Sequence, residues 1–167
     1  MRTWNLDEPS CELRWDDGTV PVRFRADVAD EPYRAHTPQR EFVPLSVASG
    51  IRTRIIGQPY LRDRDGVVRR IGEAEAYFYH EDAVLLLWRC RLLEPFRAAD
   101  PAADRNLHVL WESFEHLLAV HFPLARATVT PAWSRPYPSE QWRAFLVIHG
   151  FARPSPTGIP GMAFIRP

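Results

Sequence analysis

The sequence predicts an α/β (α+β) fold, with a mixed, mostly antiparallel central sheet flanked by helices and preceded by an N-terminal β-hairpin. Three observations carry this. Residues 51–93 alternate polar and apolar side chains at the two-residue period of strands, broken by compact turn signals. Leu107, Leu110, Trp111, Phe114, Leu117, Leu118 and His121 follow the three-and-four spacing of one helix face. A second helical stretch, 139–149, is separated from the first by a short strand-like run, 125–130.

Along the chain, 11–28 read as a hairpin: Leu13 and Trp15 alternate with charges, Asp16-Asp17-Gly18 supply a turn, and Val20, Val22 and Phe24 resume the pattern. Pro32, Pro38 and Pro44 mark 29–44 as a loop or short irregular helix, placed to serve as a flap. A strand over 51–62 meets the turn Asp63-Arg64-Asp65-Gly66, and 67–79 return as one strand. After the tight connection His80-Glu81-Asp82, the run 83–93 begins apolar on both faces, as a covered central strand does. Asp100-Pro101 has the chemistry of a helix start, and Pro123 ends that helix. Ser139 is the expected cap of the second helix and Gly150 its terminator; 151–153 and 162–166 form a closing hairpin. At 167 residues one domain is expected, with 1–45 as a hairpin-and-loop extension and 46–167 as the core.

Charge narrows the partners. The 21 basic residues balance 21 acidic ones, so no basic field favours nucleic acid. All the basic residues are Arg, which excludes lysine base or Schiff-base chemistry. Two explanations stand for the missing lysines: a GC-rich coding bias, or selection against surface amines that an acylating chemistry would modify. The first ten residues contain no apolar signal segment, and the longest apolar run, 83–88, is too short for a membrane. Cys11 and Cys90 form no metal or redox motif, and a cytoplasmic location with reduced thiols is expected.

The order of three antiparallel strands, a helix, a strand, a helix and a strand pair, together with Phe145-Leu146-Val147-Ile148-His149-Gly150-Phe151, resembles the GNAT superfamily of N-acetyltransferases over roughly 50–167. The resemblance implies transfer of an acyl group from a thioester donor, acetyl-CoA or another acyl-CoA, to a small-molecule or peptide amine. It implies cofactor contacts at Leu92, Leu93, Arg97 and Ala102, the last two matching the ends of the family's Q/R-x-x-G-x-G/A phosphate loop. Asp100 stands where that loop has its first Gly, and Pro101 lacks an N–H, so the sequence predicts a carboxylate where the diphosphate would bind. Leu146 occupies the position of the family's acid Tyr, and Ser139 that of its Asn.

For acid–base chemistry the candidates are Glu73, Glu75 and Tyr77, which share one strand face with Tyr79; a strand carboxylate can take the amine's proton directly or through water. The competing reading is an ordinary solvated strand face. His108, Glu112 and His116 recur at a spacing that could hold a metal, or simply form the polar side of a helix, and no metal site is assigned to them. Cys90 between Arg89 and Arg91 could be a nucleophile or a buried structural thiol. Arg52, Arg54, Arg62, Arg64, Arg69 and Arg70 make a partner surface conceivable or neutralise nearby acids. Beside the acyltransferase stand two rival expectations: a non-catalytic domain of the same fold that binds a partner, and a metal-dependent enzyme. Oligomeric state is left open, a dimer included.

Overall fold

The computed structural model describes residues 1–5, 11–15, 18–34, 45–94, 96–98, 104–122, 126–129, 139–150, 153–154 and 164–166. Its described strands are β1 (Arg2–Asn5), β2 (Cys11–Trp15), β3 (Gly18–Arg34), β4 (Ser49–Arg62), β5 (Val68–Arg70), β6 (Gly72–Tyr79), β7 (Val84–Leu92), β8 (Arg126–Val129), β9 (Arg153–Pro154) and β10 (Phe164–Arg166). Two helices accompany them, α1 (Arg105–His121) and α2 (Ser139–Ile148). The strands form one sheet in the order β1-β3-β4-β6-β7-β8-β10-β9, with β2 pairing β3 and β5 pairing β4. Every described pairing is antiparallel except β7 with β8. The expected mixed, mostly antiparallel sheet is therefore present, and 126–129 lie within it.

The sheet separates two faces. Leu13, Phe24, Ile55, Ala74, Leu87, Cys90 and Leu92 point to one side and meet Leu107, Leu110, Trp111, Phe114 and Leu118 of α1 and Phe145 and Leu146 of α2 in a single core. The N-terminal hairpin contributes to this core. Both helices pack on this same side, and α1 reaches α2 through Trp111, whose ring stands edge-on to Phe145 at 5.4 Å. Among the described residues no helix covers the other face. That face carries a smaller cluster of Tyr33, Tyr79, Val84 and Leu86, and a field of charged side chains.

Three local readings change. Residues expected to loop from 29 onward instead extend β3 to Arg34, paired with β4 as far as Arg34 opposite Ser49. Pro32 is tolerated because β1 pairs only up to Val28, which leaves this end of β3 with β4 alone as a described neighbour. Residues 35–44, the expected flap, lie outside the described residues.

The single returning strand over 67–79 is divided at Ile71, opposite Pro59. The Pro59 carbonyl accepts from the Ile71 amide at 3.0 Å, so the N–H that Pro59 lacks belongs on the same side, and one rung is missing. Gly72 follows because a Cβ there would stand 2.7 Å from the Arg91 carbonyl oxygen.

The cap of α1 is Asp104. Its carboxylate accepts from the Leu107 amide at 3.1 Å and the Ala98 amide at 2.9 Å. The expected start at Asp100-Pro101 falls outside the described residues, and the helix begins at Arg105.

Other signals hold. Asp63–Gly66 close a turn through Gly66 N–H to the Asp63 carbonyl at 3.0 Å, with Gly66 at φ 81°. Gly150 ends α2 at φ 86°, a conformation that disfavours a side chain. Ser139 is the first helical residue rather than the cap.

Candidate functional site

Alternation along β6 puts Glu73, Glu75, Tyr77 and Tyr79 on one face, as the sequence predicts, and that face is the helix-free one. Register then places Arg54 of β4 opposite Tyr77, and Arg89 and Arg91 of β7 opposite Glu75 and Glu73. A β-bulge between these strands sets Glu75 opposite Arg89 but Ala76 opposite Leu87, so Trp88 is an extra residue. Trp88 joins the apolar cluster of the helix-free face while Arg89 reaches the β6 carboxylates, so the bulge turns two consecutive side chains to the same side.

The carboxylates are wired differently. Glu73 Oε2 accepts from Arg91 Nε at 2.8 Å and faces Arg89 Nη1 at 3.6 Å, while its Oε1 pairs with Arg70. Burial alone would raise its pKa, but the Arg91 hydrogen bond and the charges of Arg91, Arg70 and Arg89 outweigh that and hold it below its ordinary value.

Glu75 is 9% exposed, and its Oε1 accepts from Arg54 Nε at 2.9 Å and Tyr77 Oη at 2.6 Å. Among the described residues its Oε2 meets only the distant Arg89 Nη2, at 3.9 Å. Glu75 therefore has one saturated oxygen and one oxygen with unused capacity. Burial and the hydrogen bond to Glu75 push the Tyr77 phenol up to about 12, so it is a neutral donor near pH 7 and no base.

Arg52 lies over the Tyr77 ring, 4.1 Å from its centroid, and donates to Glu31 at 2.8 Å and to the Tyr79 hydroxyl at 3.3 Å. Between β4, β6 and β7 this face has a cavity of about 190 Å³, lined by Arg54, Gln58, Arg70, Glu73, Glu75 and Arg89 among others.

Glu73 supplies a prediction with a definite sign. Its folded-state pKa lies below the ordinary value of 4.5, so the stability it contributes is present above 4.5 and lost as pH falls through the folded-state value. Urea midpoints should drop on acidification below 4.5, and less so for Glu73→Gln. Parallel pH curves for the two proteins would assign the ion network no net role.

Among the described residues, the resemblance-based contacts do not assemble a phosphate cradle. The Leu92 side chain is buried in the core, and the Leu93 amide is taken by the Ile71 carbonyl at 2.8 Å. Arg97 is paired with Glu94 at 2.6 Å, and Ala102 lies outside the described residues. The α1 N-terminus already holds the Asp104 carboxylate, 4% exposed, on two backbone amides. An entering diphosphate would meet a buried negative charge in place of free donors. These residues do not fit the diphosphate of CoA.

The other candidates also resolve. Cys90 is fully enclosed in the core and burial pushes its thiol up, so it is no thiolate nucleophile. His108 Nδ1 lies 2.7 Å from Nε2 of His149, which follows α2, Glu112 and His116 are exposed, and no metal-holding group converges among the described residues. Of the arginines on the β4–β5 hairpin, Arg69 pairs with Asp63 at 2.7 Å.

Sequence reasoning missed one cluster, built from three separate segments with no local motif. Thr53 Oγ1 stands 2.6 Å from Asp30 Oδ1 and 2.7 Å from His80 Nε2. The carboxylate can only accept, so the hydroxyl donates to Asp30 and His80 must donate to Thr53. His80 therefore cannot act as its base, and the trio is a structural clasp. Thr53→Val should cost about 1 kcal/mol, since Asp30 and His80 can rehydrate, and Thr53→Ser should cost less. A loss as large for the serine variant in chemical denaturation would discount the hydrogen bonds.

No helix among the described residues is long and apolar enough to cross a membrane. No protein-family model, no curated protein and no solved structure matches this chain.

Proposed function

We propose that this chain is an N-acyltransferase-like protein of GNAT type that acts in the cytoplasm, with its amine acceptor bound on the helix-free face beside Glu75. One observation carries the reading. The central strand β7 pairs in parallel with β8 only from Val84 to Leu87, then continues to Leu92 without a described partner on that edge. Among the described residues, then, no strand covers that edge beside the chain that leads into α1, where the resemblance puts the donor's arm. In the transfer the amine nitrogen forms a C–N bond to the thioester carbonyl, the C–S bond breaks, and the thiolate takes a proton from solvent. Glu75 Oε2, the less engaged carboxylate oxygen, receives the amine's proton.

Because Asp104 occupies the helix terminus, the donor is held by its thioester and pantetheine arm and not by a diphosphate. Thermal shift should therefore register acyl-pantetheine and acyl-CoA alike, and free thiol should appear only when an amine is added. No melting shift with either donor at millimolar concentration would overturn the reading.

The second reading is a non-catalytic binding domain of the same fold. It is favoured by the Asp104 cap together with Leu146, which is buried in the core at the place of the family's acid. Donor-independent binding of a partner with no thiol release would establish it.

A further inference from the structure

The cavity between β4, β6 and β7 has a charge pattern that its own side chains do not complete. Three guanidinium groups, Arg54, Arg70 and Arg89, line it with only two carboxylates, Glu73 and Glu75. Arg89 is the loosely held member. It lies between both carboxylates, yet its nearest contacts are 3.6 Å to Glu73 and 3.9 Å to Glu75, beyond a hydrogen bond. Arg54 gives Nε and Nη2 to Glu75, leaving Nη1 available. Gln58 commits its amide nitrogen to Asp27 at 3.3 Å, leaving its carbonyl oxygen as an acceptor. The arginine side chains are 40–50% exposed, whereas the Glu75 side chain is only 11% exposed, so the arginines line the mouth and Glu75 lies deeper.

A simple anion would satisfy Arg89 but also face two carboxylates at close range. A simple cation would meet the arginine rim. A molecule carrying both charges on neighbouring atoms satisfies each group: its carboxylate takes Arg89 and Arg54 Nη1, and its ammonium takes Glu75 Oε2 and the Gln58 carbonyl. A volume of about 190 Å³ admits only a small ligand. We propose that this cavity binds a free α-amino acid as its zwitterion. The inference deepens the acceptor reading by naming the class of amine, but occupancy of the cavity does not require any acyl donor.

The test is ligand-observed NMR and calorimetry on the full chain with the standard free amino acids, each binder then repeated as its carboxamide and as its N-acetyl derivative. At least one free amino acid should bind, and both derivatives should bind at least about tenfold more weakly, as loss of a charge-assisted hydrogen bond requires. Arg89→Gln should weaken the zwitterion by a similar factor, and Glu73→Gln less. Circular dichroism of both variants checks that they fold. Absence of binding by every free amino acid would overturn the proposal, as would equal binding of acetate or inorganic phosphate, or an unchanged affinity in folded Arg89→Gln. Since no thioester is present, failure of acyl transfer would leave this result standing, and the reverse also holds.

Discussion

Truncating Phe114 to alanine should cost about 3–5 kcal/mol, more than a typical single substitution and a large share of the stability of a domain this size. At this chain length each kcal/mol lowers Tm by roughly 2–4 °C, so the effect is readable by calorimetry. Phe114 is 2% exposed, stacks with Phe24 at a centroid distance of 6.0 Å, and lies where α1 crosses β4. The strand makes room for it with Gly57, where a Cβ would lie 2.9 Å from Phe114 Cε2 and 3.1 Å from Ala74 Cβ. Gly57→Ala alone should therefore destabilise by about 1–3 kcal/mol through overpacking. In the Phe114→Ala background most of that cost should vanish, with the Ala74 contact keeping a remainder. Strict additivity in the double-mutant cycle would show that the ring does not set the helix–sheet distance.

Glu75→Ala should destabilise by about 2 kcal/mol and also remove the deepest acceptor of the candidate site. The loss stays below the usual cost of breaking a buried pair because Arg54 and Arg89 are about 40% exposed and can rehydrate. What cannot rehydrate easily is the Tyr77 hydroxyl, which loses its acceptor at 2.6 Å. Its phenol should then titrate closer to its ordinary 10.0, since the Glu75 hydrogen bond and charge that help raise it are gone. Tyrosinate absorbance measured against pH in wild type and variant checks this. An unshifted Tyr77 titration would mean that burial alone sets it. Glu75→Gln, which keeps an acceptor oxygen, should recover part of the stability but little of any proton-transfer role.

The sheet and α1 are legible in the sequence because they rest on local periodicity. Burial follows the two-residue alternation of β4 from Thr53 to Leu61, and the apolar stripe of α1 is buried from Leu107 to Leu118. The Asp63–Gly66 turn and the Gly150 terminator are equally readable, since only certain residues accept those backbone angles. The helix start is not, because Asp100 and Asp104 carry the same capping group, and the role of Asp104 rests on its burial and its bond to the Ala98 amide, both tertiary facts. The division of 67–79 requires knowing that Pro59 lies across from Ile71.

For the candidate site, the strand-face set of Glu73, Glu75 and Tyr77 follows from alternation alone. Their arginine partners depend on inter-strand register, which one strand's sequence does not contain. The Asp30–Thr53–His80 clasp is invisible for the same reason, since adjacent strands and a turn join at a point with no spacing rule.

The bulge at Trp88 lets β7 lose a residue without exchanging its faces. Taking out Trp88 would leave Leu87 followed directly by Arg89, so the strand would alternate without a break, Arg89 would keep its place opposite Glu75, and Cys90 and Leu92 would stay beneath α1. A one-codon deletion at that point is therefore survivable, whereas one in the regular stretch of β4 from Thr53 to Leu61 has no extra residue to absorb it and would exchange the inside and outside of the strand beyond it.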